Sequence, residues 1–196
     1  MRIATFQYQG RRQVGIVTDD LKSVAPFQWT EARARRGAQA LIEDHVNGHE
    51  SLALTSAPVP IEQIRLEAPL PLPRRNIFCV GRNYHAHAKE LATSVFKDNT
   101  PKADTWPIVF TKVPESVIGP QDEVRLPGEA VSTQIDYEAE LAVVIGRGGR
   151  NIARADAMAH VFGYTIINDV TARDVQMRHQ QWDLGKSFDT FCPMGP

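Results

Sequence analysis

The stretch Ile135-Asp-Tyr-Glu-Ala-Glu-Leu-Ala-Val-Val-Ile145 decides the fold class of this chain. Its apolar and β-branched residues predict a strand, on which side chains alternate between two faces. One face carries Ile135, Tyr137, Ala139, Leu141, Val143 and Ile145, and the other carries Asp136, Glu138, Glu140, Ala142 and Val144. Neighbouring acids on one face repel each other unless a cation or solvent compensates them. The acidic face is therefore either a solvated edge strand or part of a site for a hard cation.

Further strand patterns surround this stretch, so the chain is predicted to be α+β and mainly β. Strands are predicted at 76–81, 108–112, 123–126 and 161–168, with helical patterns at 84–91 and 153–160. A hairpin over 2–18 and a helix over 30–43 precede a proline-rich segment at 57–73. Prolines favour extended connections, so we place a domain junction there. The prediction is a small N-terminal α+β domain at 1–70 and a larger domain at 71–196.

Composition limits the possible partners and the compartment. The 22 Lys and Arg residues nearly balance the 23 Asp and Glu residues, which disfavours nucleic acid or an anionic membrane as a partner. Cys79 and Cys192 have no zinc-type spacing and suggest no disulfide framework. The first residues lack the apolar core of a signal peptide, and no apolar run approaches roughly 20 residues. We therefore expect a cytoplasmic protein that acts on a small metabolite.

Asp169 is a third candidate ligand and strengthens the prediction of a metal site. The strand pattern over 162–168 ends at this acid, and the spacing from Thr171 to Asp174 predicts a capping box that begins a helix. Polar groups at strand-to-helix turns often converge on ligands, and the alternative is that Asp169 is a simple turn or cap residue. Three oxygen ligands from separate elements would leave open positions on a metal, as catalysis requires.

Two further groups are candidates for proton transfer and substrate binding. His87 and Glu90 share one face of the predicted helix, and a carboxylate beside an imidazole makes a good general base. The alternative is an exposed helix pair, and His85 lies on another face. Lys186 is either a surface lysine or a group that polarises a substrate carbonyl. A polar loop at 94–105 is a candidate lid.

The sequence resembles the fumarylacetoacetate hydrolase family in its bacterial two-domain form. The matching stretches are Ile77-Phe-Cys-Val-Gly-Arg-Asn-Tyr-His-Ala-His-Ala-Lys-Glu90, Asp136-Tyr-Glu-Ala-Glu-Leu-Ala-Val-Val-Ile-Gly146, Gly163-Tyr-Thr-Ile-Ile-Asn-Asp-Val-Thr-Ala-Arg-Asp-Val-Gln176 and Lys186-Ser-Phe-Asp-Thr-Phe-Cys-Pro193. They follow the family's order across most of residues 71–196. Residues 1–70 resemble the small N-terminal domain of the bacterial members through weaker motifs.

The resemblance implies a mixed β-roll and a specific set of site residues. It implies Mg²⁺ or Mn²⁺, with Ca²⁺ as an alternative, held by Glu138, Glu140 and Asp169, while Asp136 is not a ligand. It implies catalytic roles for His87, Glu90 and Lys186, and substrate contacts from Arg82, Tyr84, Gln176 and Lys186.

The activity implied by the resemblance is cleavage of a C–C bond in a small diketo or 2-oxo acid, such as an acylpyruvate or a fumarylacetoacetate-like compound. The alternatives are an oxaloacetate or homoprotocatechuate-pathway decarboxylase or isomerase using the same site. A non-enzyme alternative is an inactive, truncated metal-binding remnant. Family members continue through further strands, so the chain is expected to end in mid-domain. A homodimer is also implied.

Overall fold

The computed structural model describes residues 1–48, 52–55, 57–81, 83, 106–178 and 181–196. Its strands are β1 (Ile3–Tyr8), β2 (Arg11–Val17), β3 (Ser23–Pro26), β4 (Val59–Pro60), β5 (Arg65–Glu67), β6 (Ile77–Gly81), β7 (Ile108–Lys112), β8 (Val117–Ile118), β9 (Ile135–Asp136), β10 (Ala139–Ile145), β11 (Val161–Asn168), β12 (Thr171–Ala172) and β13 (Cys192–Pro193). The α-helices are α1 (Glu31–Ala34), α2 (Ala38–Asn47), α3 (Arg173–Arg178) and α4 (Asp183–Lys186). Short 3₁₀ helices cover Ile61–Gln63, Pro114–Ser116 and Arg154–His160.

The N-terminal part forms a five-stranded sheet in the order β4-β3-β2-β1-β5. The predicted hairpin is confirmed, because β1 and β2 pair antiparallel across a two-residue turn in which Gln9 and Gly10 both have positive φ. Such a turn matches the right-handed twist of the strands that it joins. Phe6 on β1 is completely buried, and Val14 on β2 packs with Phe27 and Leu41 of α2.

The predicted helix over 30–43 is divided by Gly37. Thr30 caps α1 by accepting from the Arg33 amide, and α2 begins at Ala38 and ends before Gly48. Gly37 has a φ of 61°, and a Cβ there would lie 2.6 Å from the Pro69 carbonyl oxygen. The break therefore lets the chain approach the proline-rich connection, where the Ala38 amide donates to Pro69 at 2.8 Å.

The remaining strands form four two-stranded sheets: β6 with β7, β8 with β13, β9 with β12, and β10 with β11. Their side chains meet in two apolar clusters. One is built around Val170, Ala172, Val175 and Phe191, and the other around Ala68, Ile167, Cys192 and Met194. Phe162 of β11 also packs on the Val14–Phe27–Leu41 cluster, so this part of the chain is in contact with the N-terminal sheet.

Three local predictions are wrong, and one is confirmed in place but not in helix type. The predicted helix at 153–160 is present over Arg154–His160 as a 3₁₀ helix. Residues 123–126 do not form a strand. The stretch 135–145 is two strands that belong to different sheets, interrupted at residues 137–138. The Thr171–Asp174 capping box is absent because Thr171 lies within β12, where its hydroxyl donates to the Asp169 carbonyl.

Side-chain alternation is confirmed along β10 itself. Glu140, Ala142 and Val144 are partly buried, whereas Leu141 and the other members of the opposite face are exposed. No helix within the described ranges has the length and apolarity needed to cross a bilayer.

Candidate functional site

The interruption between β9 and β10 brings Glu138 beside Asp169. The Asp169 amide donates to the Glu138 carbonyl at 2.8 Å, and the Glu138 amide donates to Asn168 Oδ1 at 3.0 Å. These two bonds join the interruption to the turn between β11 and β12. Both carboxylates are well enclosed, with side-chain exposures of 14% for Glu138 and 4% for Asp169.

The ammonium of Lys186 lies between these two carboxylates. Lys186 Nζ is 2.6 Å from Glu138 Oε2 and 2.7 Å from Asp169 Oδ2. The side chain is 2% exposed and its Nζ lies 4.8 Å from the ring centroid of Phe110. Lys186 is therefore a buried member of the site, and the surface-lysine alternative is excluded.

A second buried lysine, Lys112, approaches Asp169 from β7. Its Nζ donates to Asp169 Oδ1 at 2.7 Å, to the Val170 carbonyl at 3.1 Å and to the Lys186 carbonyl. Burial pushes the pKa of Asp169 upward. Attraction and hydrogen bonds from Lys112 and Lys186 outweigh that effect, so the pKa lies below its ordinary value. Asp169 is accordingly an anion at neutral pH.

Arg173, at the start of α3, links three side chains on the outer side of the site. Its guanidinium donates to Asp136 Oδ2 at 2.8 and 3.0 Å, to Glu138 Oε1, and to Gln176 Oε1 at 3.1 Å. Burial tends to lower the pKa of Arg173, but the neighbouring carboxylates raise it overall. Gln176 is buried at 3% exposure, and Arg173 fixes its amide oxygen. The amide of Gln176 also carries an NH₂ group, which is a hydrogen-bond donor.

The structure brings together some of the predicted site residues. Glu138, Asp169 and Lys186 meet directly, and Gln176 joins them through Arg173. Asp136 differs from Glu138, since it is 47% exposed and pairs with Arg173 at the surface. Glu140 is on β10, opposite Ile167.

Other predicted residues lie beyond what the structure describes. His87, Glu90, Arg82 and Tyr84 fall outside the described residues, as do His85 and the predicted lid at 94–105. Within the described ranges, no three His, Cys, Asp or Glu side chains form a group that could hold a metal ion. The three-carboxylate metal site thus stays a prediction, with two of its three members seen to converge.

The two thiols near the site are poor nucleophiles at neutral pH. Cys192 is completely buried, and burial raises its pKa to about 11. Burial likewise raises the pKa of Cys79 on β6 to about 12. A thiol acts as a nucleophile only as thiolate, so neither group is suited to covalent catalysis at neutral pH.

Gly185 allows α4, which carries Lys186, to pack closely on α3. A Cβ at this position would lie 2.7 Å from the backbone nitrogen of Gln176 and 2.8 Å from the Ala172 carbonyl oxygen. We predict that Gly185→Ala lowers the free energy of unfolding by about 1–3 kcal/mol, because backbone must move. Urea unfolding measures the change. Gly148→Ala, where an added Cβ meets nothing within 4 Å, is the matched control and should stay within about 0.5 kcal/mol. If Gly185→Ala and Gly148→Ala changed the free energy of unfolding equally, the close packing at Gly185 would be contradicted.

The fold belongs to the α+β class and is mainly β, with a buried charged site. The family description "Fumarylacetoacetate (FAA) hydrolase C-terminal" matches residues 76–196, and the chain belongs to the fumarylacetoacetate hydrolase family. This confirms the resemblance and the fold class.

Curated relatives and solved structures agree with this placement. Over its whole length the chain is 41% identical to oxaloacetate tautomerase YisK of Bacillus subtilis, and it spans 68% of that protein. It is 47% identical over 148 residues to the mitochondrial oxaloacetate tautomerase FAHD2A of Homo sapiens, of which it spans 44%. A fumarylacetoacetate hydrolase from Exiguobacterium antarcticum superposes with a TM-score of 0.75 at 36% identity, covering all of this chain and 65% of that one. A 5-carboxymethyl-2-hydroxymuconate delta-isomerase from Mycobacterium smegmatis superposes with a TM-score of 0.74 at 28% identity, also covering all of this chain and 65% of that one.

Lys112 and Arg173 are site residues that the sequence analysis missed. Lys112 had a detectable signal, because it shares the buried face of β7 with Phe110, two positions earlier. A lysine on an apolar face needs a buried partner. Arg173 lies inside the segment interpreted as a capping box, which concealed its role.

Proposed function

We propose that this chain carries the site of a divalent-metal-dependent enzyme that interconverts the keto and enol forms of a small 2-oxo dicarboxylic acid. Oxaloacetate is the first substrate to test. The observation that carries the proposal is the convergence of Glu138 and Asp169 on one cationic position beside Gln176. Relatives named oxaloacetate tautomerases at 41% and 47% identity support this reaction over the others.

The side chains present suit a hard divalent cation. Two carboxylate oxygens already point at a single position where they hold a positive charge, that of Lys186. Glu138, Asp169 and Glu140 would hold Mg²⁺ or Mn²⁺, both of which prefer carboxylate oxygens, and Ca²⁺ is the alternative. When bound, the metal would act as a Lewis acid on a substrate carbonyl.

The charge balance favours an anionic substrate. Arg173 is offset by Asp136 at the outer side, which leaves Glu138, Glu140 and Asp169 against the two lysines, Lys112 and Lys186. A divalent cation would bring this inner group to a net charge of about plus one. A 2-oxo acid carboxylate would meet attraction in a site of low dielectric constant, where such attraction is strongest.

Tautomerisation moves a proton from the carbon next to the carbonyl to the carbonyl oxygen. In this proposal the ammonium of Lys186 would donate to that oxygen as negative charge develops, and the NH₂ group of Gln176 would be a second donor. Arg173 holds the Gln176 amide in the orientation that makes this donation possible. We assign removal of the carbon-bound proton to His87, oriented by Glu90, on the basis of their predicted helical spacing.

The C–C hydrolase and the decarboxylase remain alternative outcomes of the same enolate chemistry. Hydrolysis of an acylpyruvate would yield two acids without CO₂, whereas decarboxylation of oxaloacetate would yield pyruvate and CO₂. A homodimer also remains a proposal, and light scattering of the purified chain tests it.

We predict that the protein with Mg²⁺ accelerates keto–enol exchange of oxaloacetate and that Lys186→Met lowers kcat by about 10²–10⁴-fold. The loss follows because Met cannot donate to the carbonyl oxygen. Disappearance of the enol's ultraviolet absorption measures the rate, and coupled pyruvate detection measures decarboxylation. Lys22→Met, on the exposed turn before β3, is the matched control and should keep the parent rate.

Three results would contradict the proposed reaction. They are an unchanged rate in Lys186→Met, release of pyruvate as fast as enol consumption, and cleavage of an acylpyruvate without any acceleration of tautomerisation.

A further inference from the structure

Lys186 is carried by α4, which is only four residues long (Asp183–Lys186). A helix of this length does not hold its own shape in water, because isolated helices are marginal below about 12–15 residues. The place of the Lys186 ammonium, 2.6 Å from Glu138 and 2.7 Å from Asp169, must therefore be set by what α4 contacts. Both ends of α4 contact β7.

Asp183, the first residue of α4, is bound to the open edge of β7. Within the described ranges β7 pairs only with β6, so backbone groups on its other edge need partners from elsewhere. Asp183 Oδ1 accepts from the Thr111 backbone N–H at 3.0 Å and from the Thr111 hydroxyl at 2.6 Å. Hydrogen bonds to a carboxylate are roughly twice as strong as those between neutral groups. Asp183 thus anchors the start of α4.

The end of α4 is held to the same strand by different contacts. Ser187 Oγ accepts from the Val113 amide at 3.3 Å and donates to the Thr111 carbonyl at 3.4 Å, and both bonds are long. Lys112 donates to the Lys186 carbonyl, and close packing on α3 supports the middle of the helix. A helix fixed at its last carbonyl can still pivot about that point. The bonds to Asp183 at the other end fix its direction.

The ring of Phe110 shows why the direction of α4 matters. Its centroid lies 4.8 Å from Lys186 Nζ and 5.4 Å from the ring centroid of Trp182, the residue that precedes α4. One ring on β7 therefore supports both the start of the helix and the ammonium. A pivot of α4 would move Nζ relative to this ring and lengthen at least one of its bonds to the two carboxylates.

We infer that Asp183 is a positioning residue, which anchors α4 to Thr111 so that the Lys186 ammonium lies between its two carboxylates and can donate to the substrate carbonyl. The donation rests on the proposed function, whereas the placement rests on the hydrogen bonds themselves. Asp183 has no Lys or Arg partner within the described residues, so its carboxylate is used for the two bonds to Thr111. Misplacing a catalytic group by about 1 Å can cost about 10²-fold in rate.

The test is a double-mutant cycle, measured by keto–enol exchange of oxaloacetate with Mg²⁺. Asp183→Ala should lower kcat by about 10–10²-fold and change KM by less than about threefold, because the groups that bind substrate are untouched. Asp183→Asn, whose amide oxygen can still accept both bonds, should recover most of that loss. In a Lys186→Met background, Asp183→Ala should cost less than about threefold, since no ammonium remains to be placed. Asp156→Ala, on the exposed 3₁₀ helix, is the matched control and should keep the parent rate.

A residue with only a structural role would lower kcat by the same factor in both backgrounds, and that result overturns the inference. Asp183→Ala at the parent rate overturns it too, as does Asp183→Asn as slow as Asp183→Ala. Should Asp183→Ala not fold, Thr111→Val removes one of the two bonds from the other side. Its loss of rate must likewise vanish in the Lys186→Met background.

A measurement without substrate separates this inference from the proposed function. The ¹⁵N NMR signal of the Lys186 ammonium, assigned by its loss in Lys186→Met, should shift in Asp183→Ala and stay in place in Asp156→Ala. If the unaltered chain does not accelerate keto–enol exchange, the proposed function fails, and this signal alone decides the placement. A signal that does not move in Asp183→Ala overturns the inference even where the enzyme is active.

Discussion

Asp169→Ala is expected to lower the free energy of unfolding by about 3–5 kcal/mol, because it leaves Lys112 as a buried charge without a counter-ion. Lys186 keeps Glu138 as a partner, whereas Lys112 keeps only backbone carbonyls. Asp169→Asn is the matched variant, since it preserves shape and an acceptor but removes the charge. Its free energy of unfolding, measured with urea, should lie between those of the parent and of Asp169→Ala.

The same residue predicts how acid affects the parent chain. Because the folded-state pKa of Asp169 is lowered, its contribution is fully present above the ordinary carboxyl pKa of about 3.9. That contribution is lost as the pH falls through the folded-state value. Asp169→Asn should therefore show a shallower loss of stability below about pH 4 than the parent. Equal acid profiles, or an Asp169→Ala variant as stable as the parent, would show that the pairing with Lys112 contributes little.

Glu138→Ala should strongly weaken cation binding and turnover without unfolding the chain. Its carboxylate meets Lys186 and Arg173, and both cations keep another carboxylate partner when Glu138 is removed. We expect the Mg²⁺ affinity to fall at least about thirtyfold, which corresponds to roughly 2 kcal/mol. Calorimetric titration with Mg²⁺ and with oxalate, a mimic of the enolate, measures the loss.

Asp136→Ala is the control that the chain itself provides. Asp136 precedes Glu138 by two residues and shares Arg173 with it, but it is half exposed and belongs to β9. Its removal should change stability by no more than about 0.5 kcal/mol and leave Mg²⁺ binding intact. If Asp136→Ala lost the metal and Glu138→Ala kept it, the assignment of ligands would have to be reversed.

Much of the fold was accessible from the sequence because its signals are local. The β1–β2 hairpin combines alternating strands with a turn at Gly10, and Thr30 and Gly48 mark helix ends through their capping chemistry. The interruption at residues 137–138 has no such signal. It arises because the chain passes from the β9–β12 sheet to the β10–β11 sheet, which depends on tertiary contacts.

The site was predictable only in part for the same reason. Glu138 and Asp169 were found through their positions at a strand and a turn, and their convergence is now seen. The ion pairs made by Lys112 and Arg173 span 57 and 35–37 residues of sequence, so no spacing rule could join them. Whether His87 and Glu90 face this group stays a prediction from the helical pattern.

The two thiols described beside the site have a practical consequence for spectroscopy. The chain contains two cysteines, and with pKa values of about 11 and about 12 only on the order of one molecule in ten thousand, or fewer, carries a thiolate at pH 7. Maleimide reagents should accordingly react slowly with both at pH 7. A cysteine engineered on an exposed surface would then be labelled first by a fluorophore or spin label.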